Sequence, residues 1–323
     1  MRVPAMAVVL AVALCLALPA SAKGRSPSLD AQSAFDSLAT QRAKSGAFDA
    51  SLAPLLVEAA AAVHIDPAAW PDAAHPLLAS LRPAGNGTLL EQVRSIHARA
   101  VSGHATPQDT AAVQASFANG QYGDLVLLND DAWAILSLRA LGVPATDDYL
   151  QAAAHHVAAQ QDAGGGWSWR IGGAPSSDVT GMALVALKQA NALPADAAAS
   201  ARAYLEARQN ATGGYAEERG APNCDSTVWA IRGLHAAGAP TPANAWAYLA
   251  GLHQPDGGFA YQPGQPSNPL CTAEVAALLG EWVAAGRDLS AYAGTTQDAP
   301  SPAFTALAAG LLLLAAVAAK RRA

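Results

Sequence analysis

The chain reads as all-α, built from a repeated pair of helices. Three observations lead there. First, 52% of the 323 residues are hydrophobic, mostly alanine, and only 6% are aromatic. That mixture favours helices over sheets. Second, segments apolar nearly all round alternate with more polar segments of helical length. An all-round apolar helix is a buried one. Third, one turn recurs along the chain at a nearly constant step, the mark of a repeat architecture.

The turn has three clear copies. They read Gln161-Asp162-Ala163-Gly164-Gly165-Gly166-Trp167, Gln209-Asn210-Ala211-Thr212-Gly213-Gly214-Tyr215 and Gln254-Pro255-Asp256-Gly257-Gly258-Phe259. A fainter copy is Asn119-Gly120-Gln121-Tyr122-Gly123. Glycine supplies the positive φ that ends a helix, and the aromatic plugs the gap between layers.

After each turn comes an apolar helix with a polar start. These begin at Asn129-Asp130-Asp131, Asp178-Val179-Thr180, Asp225-Ser226-Thr227 and Leu270-Cys271-Thr272. Asp, Ser or Thr there caps free N–H groups. The breaks Gly142-Val143-Pro144, Leu193-Pro194 and Gly238-Ala239-Pro240 follow three of them. A more polar outer helix then leads to the next turn. Upstream the pattern loosens. Residues 52–65 and 77–81 predict one inner and one outer helix, and residues 89–101 and 108–117 another pair. About six helix pairs are expected between residues 50 and 290.

Both ends lie outside that body. Residues 1–22 read as a secretory signal: Arg2, an apolar run, then the small-residue site Ala20-Ser21-Ala22. Residues 23–49 are a helical lead-in and 291–302 a linker. Residues 303–319 are uncharged and are followed by Lys320-Arg321-Arg322 within the basic tail 320–323. An apolar stretch with a basic stop predicts a membrane anchor with the body outside. The net charge of −6 argues against nucleic acid, which calls for basic surface.

Removing the signal leaves two thiols, Cys224 and Cys271, at the starts of neighbouring inner helices. An exported protein with an even pair is expected to bridge them. Two buried free thiols are the alternative, and two cysteines alone make a poor metal site. Asn86-Gly87-Thr88 and Asn210-Ala211-Thr212 are glycosylation sequons on predicted loops.

The turns and alternating helices resemble the repeats of the terpenoid cyclase and prenyltransferase β-subunit superfamily. Squalene cyclases carry a related Gln…Gly-x-Trp motif. The likeness spans most of residues 50–290 and is strong over 117–282. It implies an α/α toroid of six inner and six outer helices. The narrower likeness is to secreted prokaryotic proteins with such repeats. The end Ser301-Pro302-Ala303-Phe304, its apolar run and its basic stop resemble archaeal sorting signals of the PGF type, with Ala303 where that signal has Gly.

The resemblance implies several chemistries, each testable on the residues. Squalene cyclases use Asp-x-Asp-Asp as proton donor. Here Leu128-Asn129-Asp130-Asp131 lacks the first Asp, leaving Asp130 and Asp131 as candidate acids or as a cap and a solvated carboxylate. Protein prenyltransferases hold zinc through Asp-x-Cys and a later His. Here Thr227 replaces the Cys, and Cys271 falls where the His belongs, so no zinc site and no other cofactor is expected. A diphosphate would sit at the gathered helix N-termini, where Arg170, Arg219 and Lys188 make no basic cluster. The thioester motif Cys-Gly-Glu-Gln is absent, and no β-rich segment remains for a cobalamin carrier.

The expected function is therefore binding rather than catalysis. An apolar or isoprenoid-like molecule, or a surface partner, would enter the toroid mouth. Asn129, Trp133, Asp178, Thr180, Asp225, Thr227 and Trp229 are the expected lining. The alternatives are a cyclase-like enzyme using Asp130 or Asp131, with Trp133 and Trp229 lining its cavity, and a purely structural surface protein.

Overall fold

The computed structural model describes residues 29–45, 48–70, 76–83, 85–240 and 242–287. The expected signal (1–22) and the anchor with its tail (303–323) lie outside them. Among the described residues no helix is long and apolar enough to cross a membrane.

The helices in chain order are α1 (Ala31–Ser45), α2 (Ala53–Ala62), α3 (Leu89–Val101), α4 (Pro107–Gln114), α5 (Leu128–Ala140) and α6 (Asp148–Ala159). Then come α7 (Ser177–Gln189), α8 (Ala195–Arg208), α9 (Cys224–Ala236), α10 (Ala243–Gly251) and α11 (Pro269–Ala284). Helices α2, α3, α5, α7, α9 and α11 pack each against the next, and α11 packs back on α2. They form a closed inner ring. Helices α4, α6, α8 and α10 pack outside it.

A fifth outer helix comes from the other end of the chain. Gly165 lies against Ser200 of α8, and Gly213 against Asn244 of α10. In the third turn Gly257 lies against Ser33 and Ser37 of α1. So the lead-in supplies the outer helix for the last turn, and α1 packs on α11. The three glycines have φ of 91°, 88° and 86°. That left-handed conformation, with a neighbouring backbone close by, leaves no room for a side chain.

Each turn is clamped in the same way. The aromatic backbone N–H donates to a threonine hydroxyl one turn into the next inner helix. The distances are 3.0 Å for Trp167 to Thr180, 3.0 Å for Tyr215 to Thr227 and 2.9 Å for Phe259 to Thr272. All three aromatics are buried. The register of the third turn departs from the sequence reading. Asp162 and Asn210 donate their N–H to the glycine carbonyl before the aromatic, and Gln254 does so in the third turn. Gln254 therefore stands where Asp162 and Asn210 stand, because this turn is one residue shorter.

The faint upstream copy is a hairpin. Strands β1 (Phe117–Ala118) and β2 (Gln121–Tyr122) pair antiparallel around Asn119-Gly120, a two-residue turn that matches strand twist. Residues 77–81 make only the 3-10 turn Leu77–Ser80, bounded by Pro76 and Pro83. Six residues between prolines cannot repay helix nucleation.

Helices α7 and α9 approach most closely where Gly181 meets Gly233. A Cβ on Gly233 would collide with Gly181, and one on Gly181 with the Trp229 carbonyl. Cys224 and Cys271 are bonded, with Cα atoms 5.9 Å apart. The bridge ties the starts of α9 and α11, which otherwise touch less extensively than α7 and α9 do.

Candidate functional site

The inner helices start at one end of the ring. Their first halves border a narrow pocket of about 180 Å³, and their second halves a wider cavity of about 560 Å³. Glu58, Trp133, Trp229 and Arg232 line both and form a waist between them. The two indoles meet edge to face, 5.8 Å between centroids at 88°. Arg94 lies 5.2 Å over Trp133, and Arg232 lies 5.0 Å over Trp229, contacts that favour a cation on each ring face.

Helix geometry decides which predicted residues reach the lumen. Asn129 and Trp133 are four apart, as are Asp225 and Trp229, so each pair shares a face. These four and Asp178 line the narrow pocket. Thr180 and Thr227 lie two positions from Asp178 and Asp225, on the opposite side of the helix. They hold the turn backbones and do not line the pocket.

Asp130 and Asp131 also turn away, which corrects the expectation of an acid at the mouth. Asp131 stands in the register of Thr180, Thr227 and Thr272. Its Oδ1 accepts the Tyr122 N–H at 2.7 Å, and its Oδ2 lies 3.8 Å from His156 Nε2. Burial pushes its carboxyl up to about 7, against the pull of the Tyr122 N–H. Asp130 accepts the Asp124 N–H at 3.0 Å, and burial raises its carboxyl too. The two are consecutive helix residues whose carboxylates serve two segments of the 122–124 turn.

Several lumen residues escaped the sequence reading. Glu274 falls in the register of Trp133, Met182 and Trp229, and lines the narrow pocket. Its carboxyl lies beside that of Asp225, close enough for each to shift the other. Burial, and then the neighbouring acid, holds Glu274 protonated well above the usual range. Glu58 is pushed up to about 7 by burial, which outweighs the attraction of Arg94 and Arg232. The register of the repeat could have found Glu274; nothing local marks Glu58 or Arg94.

The wide cavity is built differently. Trp133, Trp229 and Trp282 supply aromatic walls, with Leu136 and Val185. Lys188, Arg232 and Arg287 supply positive charge. Arg232 is held by Glu281 through two contacts, at 3.0 and 2.7 Å. Arg287 sits 4.7 Å over the Trp282 ring and donates to His235 Nε2 at 2.8 Å. His235 is kept neutral by burial and by Arg287 and Lys188. Burial also lowers His97 to about 4. The sequence reading looked for basic residues at the helix starts. The cluster lies toward the other end, because residues 188 and 232 come from the second halves of two inner helices and residue 287 from just past the end of a third. Among the described residues no group of three or more His, Cys, Asp or Glu side chains is placed to hold a metal ion.

No protein-family model matches the sequence. No curated protein matches it either. Solved structures do. One of them is the ent-copalyl diphosphate synthase of Streptomyces platensis, 18% identical, with a TM-score of 0.52 over 76% of this chain and 50% of that one.

The chain has a terpenoid-cyclase fold.

It spans about half the length of that synthase structure. At this identity the likeness speaks for the helical architecture of this terpenoid-cyclase-like toroid. Which chemistry its lumen performs is a question for its own residues.

Proposed function

We propose that the toroid binds an apolar, isoprenoid-like molecule with an anionic end, and returns it unchanged. The binding site is the wide cavity, not the helix-start mouth. One observation carries the reading: a cavity of about 560 Å³ with three indole walls and Lys188 and Arg287 at its polar side, beside the Arg232–Glu281 pair. Apolar walls with a few placed charges are what a small-molecule site requires. In keeping with the chain's two ends, the site would work at the cell surface, on a body held by the C-terminal segment.

One feature supports binding over catalysis. Asp130 and Asp131 are occupied by turn backbones and border neither cavity. The unfilled lumen weighs against a purely structural role.

The test is a tryptophan-fluorescence titration of the purified protein with a C15 prenyl monophosphate, followed by extraction of the ligand. Saturable quenching, lost in Trp229→Ala, with the prenyl phosphate recovered intact, is the expected outcome. A cyclised product would replace this reading with catalysis. No saturable signal would end the ligand reading.

A further inference from the structure

The narrow pocket has a chemistry of its own. Glu274 is 5% exposed. Apart from the Asp225 carboxyl beside it, it has no partner, and its Oε2 is buried with no donor. Asn129 Oδ1 and Asp178 Oδ1, on the same pocket, are also buried without a donor. Three unpaired acceptors thus belong to residues of three inner helices that line one small space. A buried acceptor left unmade is costly, and hydrogen-bond donors on a ligand would relieve all three.

The charge around the pocket selects the donor. Glu58, Asp178, Asp225 and Glu274 face Arg94 and Arg232 there. Arg232 is already held by Glu281. Behind Asp225, Tyr261 donates to Glu217 at 3.2 Å, and Glu217 adds further negative charge. Even with one proton shared by Asp225 and Glu274, the lining is negative. The floor is the Trp133–Trp229 pair. A cation with N–H groups and a short apolar stem meets each of these features.

We propose that this pocket binds a small primary ammonium ion. Its N–H groups donate to Glu274 Oε2, Asp178 Oδ1 and Asn129 Oδ1, and its stem rests on the indoles. The proton shared by Asp225 and Glu274 leaves to solvent as the cation arrives, so binding and proton release are linked. The disulfide between Cys224 and Cys271 sets the spacing of the two carboxyls, since it joins the helix starts that carry them. The two sites share the Trp133–Trp229 waist, but Asn129, Asp178 and Glu274 border the narrow pocket and not the wide cavity, so each reading has its own test.

The test is calorimetric titration of the full-length protein with propylammonium, in two buffers of different ionisation enthalpy. Propanol and tetramethylammonium serve as neutral and donor-free controls. Propylammonium should bind alone of the three, release protons, and bind more tightly as pH rises from about 6 to about 8. Glu274→Gln should reduce the proton release, leaving only what Glu58 gives up, and Asp178→Asn should weaken binding by about tenfold or more. Equal binding of propanol, absence of proton release, or unchanged affinity in both variants would overturn the proposal. Should Glu274→Gln fail to fold, the proton count on the unaltered chain and the Asp178→Asn affinity decide.

Discussion

Asp131 holds the backbone N–H of Tyr122 at 2.7 Å, as Thr180 holds that of Trp167 at 3.0 Å. A carboxylate thus does the work that a hydroxyl does in the other repeats. Burial pushes the Asp131 carboxyl up to about 7, against about 3.9 for an unfolded chain. A folded value raised above the unfolded one means that its stability contribution is complete below about pH 4 and is lost as pH rises through about 7. Asp131→Asn keeps the acceptor and removes the titration. The variant should exceed the parent by about 1–3 kcal/mol at pH 8 and lose that advantage near pH 4. Urea unfolding at the two pH values checks it.

The threonine clamp makes a sharper prediction. Tyr215 is fully buried, and its N–H has Thr227 Oγ1 as acceptor at 3.0 Å. Thr227→Val preserves shape and strands the donor, at a cost of about 1–3 kcal/mol. Thr227→Ser should recover most of the loss. Chemical denaturation of the two variants separates a hydrogen bond from mere packing.

The disulfide closes a loop with a sequence separation of 47 residues. Its removal should cost about 2–4 kcal/mol. Reductant should lower the melting temperature of the parent protein and leave the Cys224→Ser, Cys271→Ser double variant unmoved. A parent insensitive to reductant would show that the bridge does not hold the ring together.

The approach of Gly181 to Gly233 tolerates no side chain. Gly233→Ala should destabilise by about 1–3 kcal/mol through forced separation of α7 and α9. The same shift would widen the waist at Trp229. Melting curves give the first effect, and the indole emission maximum gives the second.

At the wide cavity, the Lys188→Ala, Arg287→Ala double variant should weaken binding of a prenyl phosphate by about tenfold or more, and of a prenyl alcohol far less. The split between the two ligands is the readout. Equal losses would mean that these residues shape the cavity and do not recognise an anion.

Much of this protein was legible in one dimension. Helices α5, α7, α9 and α11, the three turns and the helix-start thiols follow from hydrophobic period, glycine conformation and capping chemistry. All of these act within a few residues, so the local sequence determines them. The lumen-facing set was only partly legible: the sequence reading put Thr180 and Thr227 in the lining beside Asn129 and Asp225, although positions four apart share a helix face and positions two apart do not. That rule separates Asn129 and Asp225 from Asp131 and Thr227. Other features needed the closed ring. No local pattern says that α1 serves the last turn, or that Glu274 meets Asp225 across two helices. None says that Lys188, Arg232 and Arg287 converge at the far end. These depend on contacts between residues far apart in the chain, and those contacts exist only once packing brings α11 back against α2.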